Sequence, residues 1–218
     1  MQTSFWFLGI GLATFLDFVV GVSVAVIWLG KNVPTWAYVL GGILALLPDF
    51  DLLFDLMWKQ QSTNYDHHQN LSHRPLVTIT ISTAVCYLLG GISWGLTAAC
   101  CLLWHFIHDT EYVLTGGGIA WFWPASNKYW SWKRVVDPKK SLIAEAVGQD
   151  EKWFHETWLQ PSPAAIQELS LGIVLLTSSV VYLYGFLASL IVFYIVAFGI
   201  MGIWALYAYS NRNKQSAH

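Results

Sequence analysis

Residues 36–58 read WAYVLGGILALLPDFDLLFDLMW. A helix crosses a bilayer with about 20 mostly apolar residues, so this stretch predicts a membrane span, Trp36–Met57. Trp36 and Trp58 bracket the stretch about 22 residues apart, or about 33 Å along a helix, which puts an aromatic ring at each interface. The second half nevertheless carries Asp49 and Asp51, although a charge at bilayer depth costs several kcal/mol. The stretch therefore predicts a membrane protein with a polar site inside it.

The composition of the whole chain agrees with this prediction. Of its 218 residues, 56% are hydrophobic and only 11% are charged, whereas a soluble domain carries roughly a quarter charged residues. This composition excludes a disordered chain and an ordinary soluble enzyme. The net charge is −2 and no basic region stands out, so we expect membrane lipid and not nucleic acid as the partner.

Six apolar stretches of suitable length predict an all-α bundle of about six transmembrane helices. We expect one membrane domain, 1–218, with a metal-site core at about 10–125, a cytoplasmic loop at 115–165 and a C-terminal helical hairpin at 166–209. The connections at 90–93 and 184–185 are short, which predicts antiparallel hairpins. The predicted spans are Phe5–Leu29, Trp36–Met57, Pro75–Ser93, Trp94–Leu114, Ile166–Tyr184 and Phe186–Tyr209.

The basic residues predict how the chain is oriented. Six spans place both termini on one side, and ten of the eleven Lys and Arg residues then fall on that side. Only Lys31 falls on the other side. Because basic residues accumulate in cytoplasmic loops, we predict an integral protein of the cell membrane with both termini in the cytoplasm.

Ionisable side chains gather at one depth of this predicted bundle. Each lies near the midplane, in the cytoplasmic half of a span or in a cytoplasmic loop, so all of them can converge on one cavity open to the cytoplasm. Ionisable residues at bilayer depth are functional candidates by default. The set is Asp17, Asp49, Asp51, His67, His68, His73, His105, His108 and Asp109.

The directions in which these side chains point are compatible with one shared site. His105 and Asp109 are four residues apart and share a helix face. Asp49 and Asp51 would point roughly 200° apart on a regular helix. Pro48 removes a backbone donor and breaks the helix, which allows both carboxylates to turn inward.

Carboxylates crowded into an apolar pocket repel one another unless a cation neutralises them. Mixed with imidazoles and without cysteine, they predict one to three ions of a divalent metal, with zinc as the expected metal. Such a ligand set suits a catalytic site with an open position, where a metal activates water at neutral pH.

Alternatives stay open for single residues. Asp17 fits a helix-packing or proton-relay residue equally well, and His67 and His68 fit ordinary loop residues. His108 fits a residue that orients a ligand. The stretch Trp121–Arg134 mixes aromatic and basic residues, which indicates an interfacial belt or, alternatively, a site for anionic lipid headgroups.

Three motifs resemble a known family, the YdjM-like inner-membrane, LexA-binding metal-dependent hydrolases. Leu47-Pro-Asp-Phe-Asp51 resembles the family's L-P-D-x-D. His68-Gln-Asn-Leu-Ser-His73 resembles its H-R-G-x-T-H, with Ser for Thr and without the Arg-Gly pair. His105-Phe-Ile-His-Asp109 resembles its H-x-x-x-D, which a Gly-rich turn and Trp123-Pro124 follow here as in the family.

A fourth motif departs from the family, because Asp17-x-x-x-Gly21 has Asp where the family has His. The resemblance covers roughly residues 10–125 and implies an inner-membrane location. The site is also distantly similar to zinc-dependent phospholipase C and P1-type nucleases, which implies that Asp49 acts as general base. On this basis we predict Asp49 and His108 as catalytic residues. The predicted metal ligands are Asp17, Asp49, Asp51, His68, His73, His105 and Asp109.

The leading hypothesis is a membrane-embedded metal-dependent hydrolase that acts on an amphiphilic, lipid-like phosphoester through metal-activated water. An ion- or proton-coupled transporter is the alternative, since buried acids and a broken helix are also transporter features. A haem-binding electron carrier is a third hypothesis, but the histidines at membrane depth are on a single predicted span, which disfavours axial ligation from two helices.

Overall fold

The computed structural model describes residues 2–51, 70–111, 118–131, 135–136 and 156–215. These residues are mainly helical, which confirms the predicted all-α class. Two short antiparallel β-strands are also present, in which Tyr129 is opposite Val136 and Trp130 is opposite Val135. The elements are α1 (Gln2–Ala13), α2 (Phe15–Leu29), α3 (Thr35–Ala45), a 3-10 helix (Leu71–His73), α4 (Pro75–Glu111), β1 (Tyr129–Trp130), β2 (Val135–Val136), α5 (Pro163–Tyr184) and α6 (Phe186–Gln215).

By length and composition, three helices could cross a membrane: Pro75–Thr110, Pro163–Tyr184 and Phe186–Arg212. The first of these contains the turn at Gly91 described below, so it is not one straight span. A fourth span results if α1 and α2, which are bent by 45° between Ala13 and Phe15, count as one. Thr14 lies at this bend and its hydroxyl donates to the carbonyl of Ile10 at 2.9 Å, a contact that often bends helices. The predicted number of six spans is therefore not confirmed. In the second predicted span the helix ends at Ala45, and only residues 52–57 of that span lie outside the described residues.

Helix α4 turns back on itself at Gly91. This residue has φ 76° and ψ −167°, a conformation that favours glycine because it has no Cβ. A Cβ built on Gly95 would lie 3.1 Å from the Cβ of Tyr87, and Ile79 packs against the cluster that contains Leu102 and Phe106. The two arms of α4, residues 75–90 and 92–111, therefore form an antiparallel hairpin, as the short predicted connection implied.

The chain divides into two compact units, Met1–Val19 with Glu151–His218, and Val20–Asp150. In the first unit, α1 packs on α5 and α6. Ser162 caps α5 by accepting a hydrogen bond from the amide of Ala165 at 3.1 Å, with Pro163 at the first helical position. The single-domain prediction is not tested by this division.

In the second unit, α2 and α3 pack closely through glycines. A Cβ on Gly21 would lie 2.3 Å from the carbonyl oxygen of Gly41, and a Cβ on Gly41 would lie 2.5 Å from the Cβ of Ala25. Helix α3 also packs on α4, and the thiol of Cys101 contacts the carbonyl of Gly21 at 3.8 Å. Small residues at these contacts allow the helix backbones to approach, which brings the end of α3 beside the second arm of α4.

One hydrophobic cluster lies beneath the predicted site. Leu102 and Phe106 of α4 and Ile119 are fully buried together. Leu47 from the end of α3, Ile79 from the first arm and Trp121 pack around them. The elements that carry the candidate site thus share one core.

Candidate metal centre

The first part of the centre is the tight turn that follows α3. Helix α3 ends at Ala45, and the next amides bond three residues back, from Asp49 to the carbonyl of Leu46 at 3.0 Å and from Asp51 to that of Pro48 at 3.4 Å. Such i→i+3 bonds give about three residues per turn. The break expected at Pro48 is present, and it changes the relative direction of Asp49 and Asp51.

The second part is the short 3-10 helix that ends at His73. Its amides donate to Asn70 and Leu71 carbonyls, and the hydroxyl of Thr78 in α4 donates to the carbonyl of Ser72 at 2.9 Å. These bonds attach the helix to the start of α4. The His73 side chain is fully buried as a result.

The third part is the end of the second arm of α4. His105 is fully buried, and its Nε2 lies 2.9 Å from Oδ2 of Asp109, four residues later. The aromatic ring of Phe106 packs edge-on against the rings of His105 and His73, at centroid distances of 5.6 and 6.3 Å. Phe106 thus forms an apolar wall beside both imidazoles.

These three parts meet in one cluster. Oδ1 of Asp49 lies 3.6 Å from Nε2 of His73 and 3.6 Å from Nε2 of His105. Oδ2 of Asp109 lies 3.7 Å from Nε2 of His73. The ligand atoms of Asp49, His73 and His105 all lie within 4.8 Å of one another.

This spacing fits a single small metal ion. Zinc binds imidazole nitrogen and carboxylate oxygen at about 2.0–2.1 Å, so two ligand atoms on a tetrahedral zinc are about 3.3 Å apart. The distances in the cluster, 2.9 to 3.7 Å, bracket that value. The donor set of two imidazoles and two carboxylates suits zinc.

Asp51 faces the other edge of the His73 ring. Its Oδ2 accepts hydrogen bonds from Asn70 Nδ2 at 2.6 Å and from the Ser72 hydroxyl at 2.6 Å, and lies 3.1 Å from Nδ1 of His73. A proton on Nδ1 completes this contact and leaves the Nε2 lone pair directed at the cluster. Metal-binding histidines are commonly oriented by a carboxylate in this way.

The neighbouring carboxylates favour the protonated form of His73. Burial by itself would lower the pKa of this imidazole, but its contacts with Asp49 and Asp51 and the nearby charge of Asp109 raise the pKa of His73 to about 9. In the metal-free chain the acids hold a proton on His73. The same three carboxylates would also attract a divalent cation.

The structure brings four predicted ligands together: Asp49, His73, His105 and Asp109. Asp51 lies behind His73, and its Oδ1 is buried without a hydrogen-bond partner among the described residues. Its role as a ligand stays a prediction.

For three other predicted site residues, the role assigned from the sequence stays a prediction. Asp17 is buried but belongs to the first compact unit, whereas the cluster belongs to the second. His68 lies outside the described residues. His108 stacks on Trp104, with ring centroids 5.9 Å apart, and its catalytic role stays a prediction.

The prediction from sequence missed the residues that hold the ligands in place. In the motif comparison Asn70 and Ser72 are only departures from the family pattern, yet both side chains donate hydrogen bonds to Asp51. The signal that could have identified these two residues is their position, three residues and one residue before His73. Tyr129, which accepts a hydrogen bond from Arg74 at 3.0 Å, carries no comparable local signal because it lies 55 residues away in sequence.

Comparison with known proteins gives one match. Residues 12–205 match the family described as YdjM inner membrane protein. The match covers most of the chain, including α2, α3, α4 and the centre. No curated protein and no solved structure matches the chain.

Proposed function

The chain belongs to the YdjM inner membrane protein family, and we propose that it is a metal-dependent hydrolase of an amphiphilic phosphoester, acting through metal-activated water. The observation that carries the proposal is the cluster of Asp49, His73, His105 and Asp109. Four metal-binding side chains from three separate parts of the chain meet there at single-ion spacing. If these residues only stabilised the fold, there would be no need for two fully buried histidines to face two carboxylates.

Within this proposal the residues have distinct roles. His73, His105, Asp49 and Asp109 hold the ion, and Asp51 orients His73. A bound divalent metal supplies a Lewis acid and lowers the pKa of water to near 7. Asp49 is half-buried, with its side chain 18% exposed, whereas both histidines are fully buried. Asp109, with its side chain 12% exposed, is the other member of the cluster that solvent reaches, and the role of Asp49 as general base stays part of the proposal.

Metal content is the test of this proposal. Protein purified in mild detergent and reconstituted with zinc should retain at least one ion per chain, measured by mass spectrometry of the eluted metal. His105→Ala and Asp49→Ala should each lose that ion, since loss of a ligand commonly weakens zinc binding by orders of magnitude.

A matched control is Glu156→Gln, which removes an exposed carboxylate outside the cluster and should leave the zinc content unchanged. If the wild-type protein holds no transition metal, or if Asp49→Ala and His105→Ala hold as much as wild type, the proposed function is wrong.

A transporter remains the second candidate because of two observations, the helix broken at Pro48 and the buried Asp17. Both features occur where transporters bind ions. Proton or cation flux into liposomes that depends on Asp17, in a protein that hydrolyses no phosphoester, would favour this alternative over the hydrolase.

A further inference from the structure

The aromatic segment, residues 118–131, carries both buried and exposed apolar side chains. Ile119 is fully buried in the hydrophobic cluster beneath the centre. Phe122 and Trp130, by contrast, are 55% and 38% exposed. The sequence of this stretch indicated either an interfacial belt or a site for lipid headgroups, and the proposed function uses neither. The contacts of the segment with α4 indicate what lies against the exposed rings.

Phe122 and Trp130 form one exposed aromatic pair. Their ring centroids are 5.5 Å apart and their planes meet at 79°, an edge-to-face contact. Ile119 and Trp130 are joined by two backbone hydrogen bonds of 2.9 and 2.8 Å, and the amide of Ser126 donates to the carbonyl of Phe122 at 2.9 Å. Gly118, with φ +61°, allows this closure because a Cβ there would clash with the Trp130 carbonyl. Backbone structure therefore fixes two large rings side by side while both stay exposed.

The second arm of α4 gives the depth of the segment in the membrane. The indole of Trp121 donates to the hydroxyl of Thr110 at 2.8 Å. Thr110 lies about 28 Å along the helix from the turn at Gly91, which is close to the hydrocarbon thickness of about 30 Å. Residues 75–104 include no acidic residue, basic residue or histidine. The segment therefore meets α4 where its apolar part ends, at the level of a membrane interface.

The faces of this arm place the segment at the border between lipid and the centre. Phe106 and Thr110 are four residues apart and share one face, and Trp121 contacts both of them. Ile107, which is 38% exposed, lies about 100° to one side of Phe106, and His105 lies about 100° to the other side. In a membrane protein the exposed apolar side of such an arm faces lipid. The segment thus packs between the lipid-facing side and the side that carries a ligand.

We propose that Phe122 and Trp130 insert into the lipid headgroup region and anchor the aromatic segment at the membrane interface. Aromatic side chains, Trp above all, favour this region. Lys128 is exposed in the same segment, and its positive charge favours the phosphate groups of lipids. Asp109 directly precedes Thr110, so the anchor also holds the centre close to the depth of those phosphates. The inference goes beyond the proposed function and does not depend on a metal, because it rests on burial, packing and depth.

Fluorine NMR of the protein labelled with 5-fluorotryptophan tests this contact. The chain has 13 tryptophans, and Trp130→Phe identifies the Trp130 signal by its loss. The protein is reconstituted in nanodiscs of phosphatidylethanolamine and phosphatidylglycerol. Two paramagnetic agents are compared, a phospholipid with a nitroxide on its headgroup and a gadolinium chelate that stays in water. Free 5-fluorotryptophan in the same sample is the reference for full exposure to water.

The Trp130 signal should lose most of its intensity with the nitroxide lipid. With the chelate it should lose less intensity than with the nitroxide lipid, and less than the free amino acid loses. The double variant Phe122→Trp, Trp130→Phe moves the reporter to the other ring of the pair and should respond in the same order. Unchanged positions of the remaining signals show that each variant is folded.

Two results overturn the inference. If the chelate broadens both reporters more than the nitroxide lipid does, the aromatic pair faces water. If neither agent broadens them, protein covers the pair, as a second copy of the chain would. Failure of the proposed function is visible separately, because zinc content decides that proposal and has no part in this measurement.

Discussion

At His73 the two ring nitrogens have different partners. Nε2 lies near Asp49 and Asp109, at 3.6 and 3.7 Å, and Nδ1 lies 3.1 Å from Asp51. The resulting prediction concerns Asp51. If it orients the ring without binding the first ion, Asp51→Asn should keep the zinc stoichiometry but weaken zinc affinity about 10- to 100-fold.

Competition with a chromogenic chelator measures this affinity. Asn70→Ala should have a smaller effect in the same direction, because it removes one of the donors to Asp51 and leaves the carboxylate in place. Complete loss of zinc in Asp51→Asn would instead indicate that Asp51 is itself a ligand, as the sequence analysis predicted.

The raised pKa of His73 predicts how zinc affinity depends on pH. A pKa of about 9 means that the metal-free imidazole is protonated at pH 7, and zinc must displace that proton. Zinc affinity should therefore rise with pH, by about tenfold per unit for one displaced proton, and level off above pH 9. Affinities measured at pH 6.5, 7.5 and 8.5 test this expectation, and a constant affinity over that range would contradict it.

At the scale of elements, the crossing of α2 and α3 determines where Asp49 lies. Gly21 has no space for a side chain, since its Cβ would lie 2.3 Å from the Gly41 carbonyl. Gly21→Ala should therefore push α3 away from α2, lower the thermal stability and reduce the zinc content. Unfolding in detergent, followed by circular dichroism, measures the first effect.

Gly11→Ala is the matched control for this prediction. Gly11 also lies in an apolar helix, α1, but a Cβ there meets nothing within 4 Å. Its replacement should be neutral or slightly stabilising, because alanine favours helix more than glycine does. Equal behaviour of Gly21→Ala and Gly11→Ala would show that the close crossing does not matter for stability.

Local patterns predicted some of these elements and could not predict others. The apolar runs and the short connection at residues 90–93 predicted the α4 hairpin, and Pro48 predicted the break after α3. The pairing of His105 with Asp109 followed from helical spacing alone. The contact of Arg74 with Tyr129 and the close packing of Gly21 on Gly41 depend on long-range packing, which no local pattern contains.

At the scale of the whole molecule, membrane orientation is the remaining prediction. Both termini, and the loop that contains Lys128, are expected in the cytoplasm, since ten of the eleven basic residues fall on that side of a six-span chain. Reporter fusions that are active only outside or only inside the cytoplasm should give the cytoplasmic result at both ends. Opposite results at the two ends would show that the number of spans is odd.

The resemblance to the YdjM-like family was predicted from motifs in residues 10–125, and the family is confirmed over 12–205. The motifs could be found because metal ligands need particular residue types at particular spacings. They could not show which ligands share one ion: Asp17 is in a different compact unit, and His68 lies outside the described residues. Those two assignments stay predictions.

The fold of α4 has a consequence for how the protein matures. His73 precedes the first arm of this hairpin and His105 lies near the end of the second, yet their rings are 5.8 Å apart. A ribosome therefore releases His73 long before His105, and a nascent chain holds only part of the ligand set until both arms are made. If the proposed ion binds at this centre, it can be fully coordinated only after both arms have been made, so metal loading would report that the hairpin is complete.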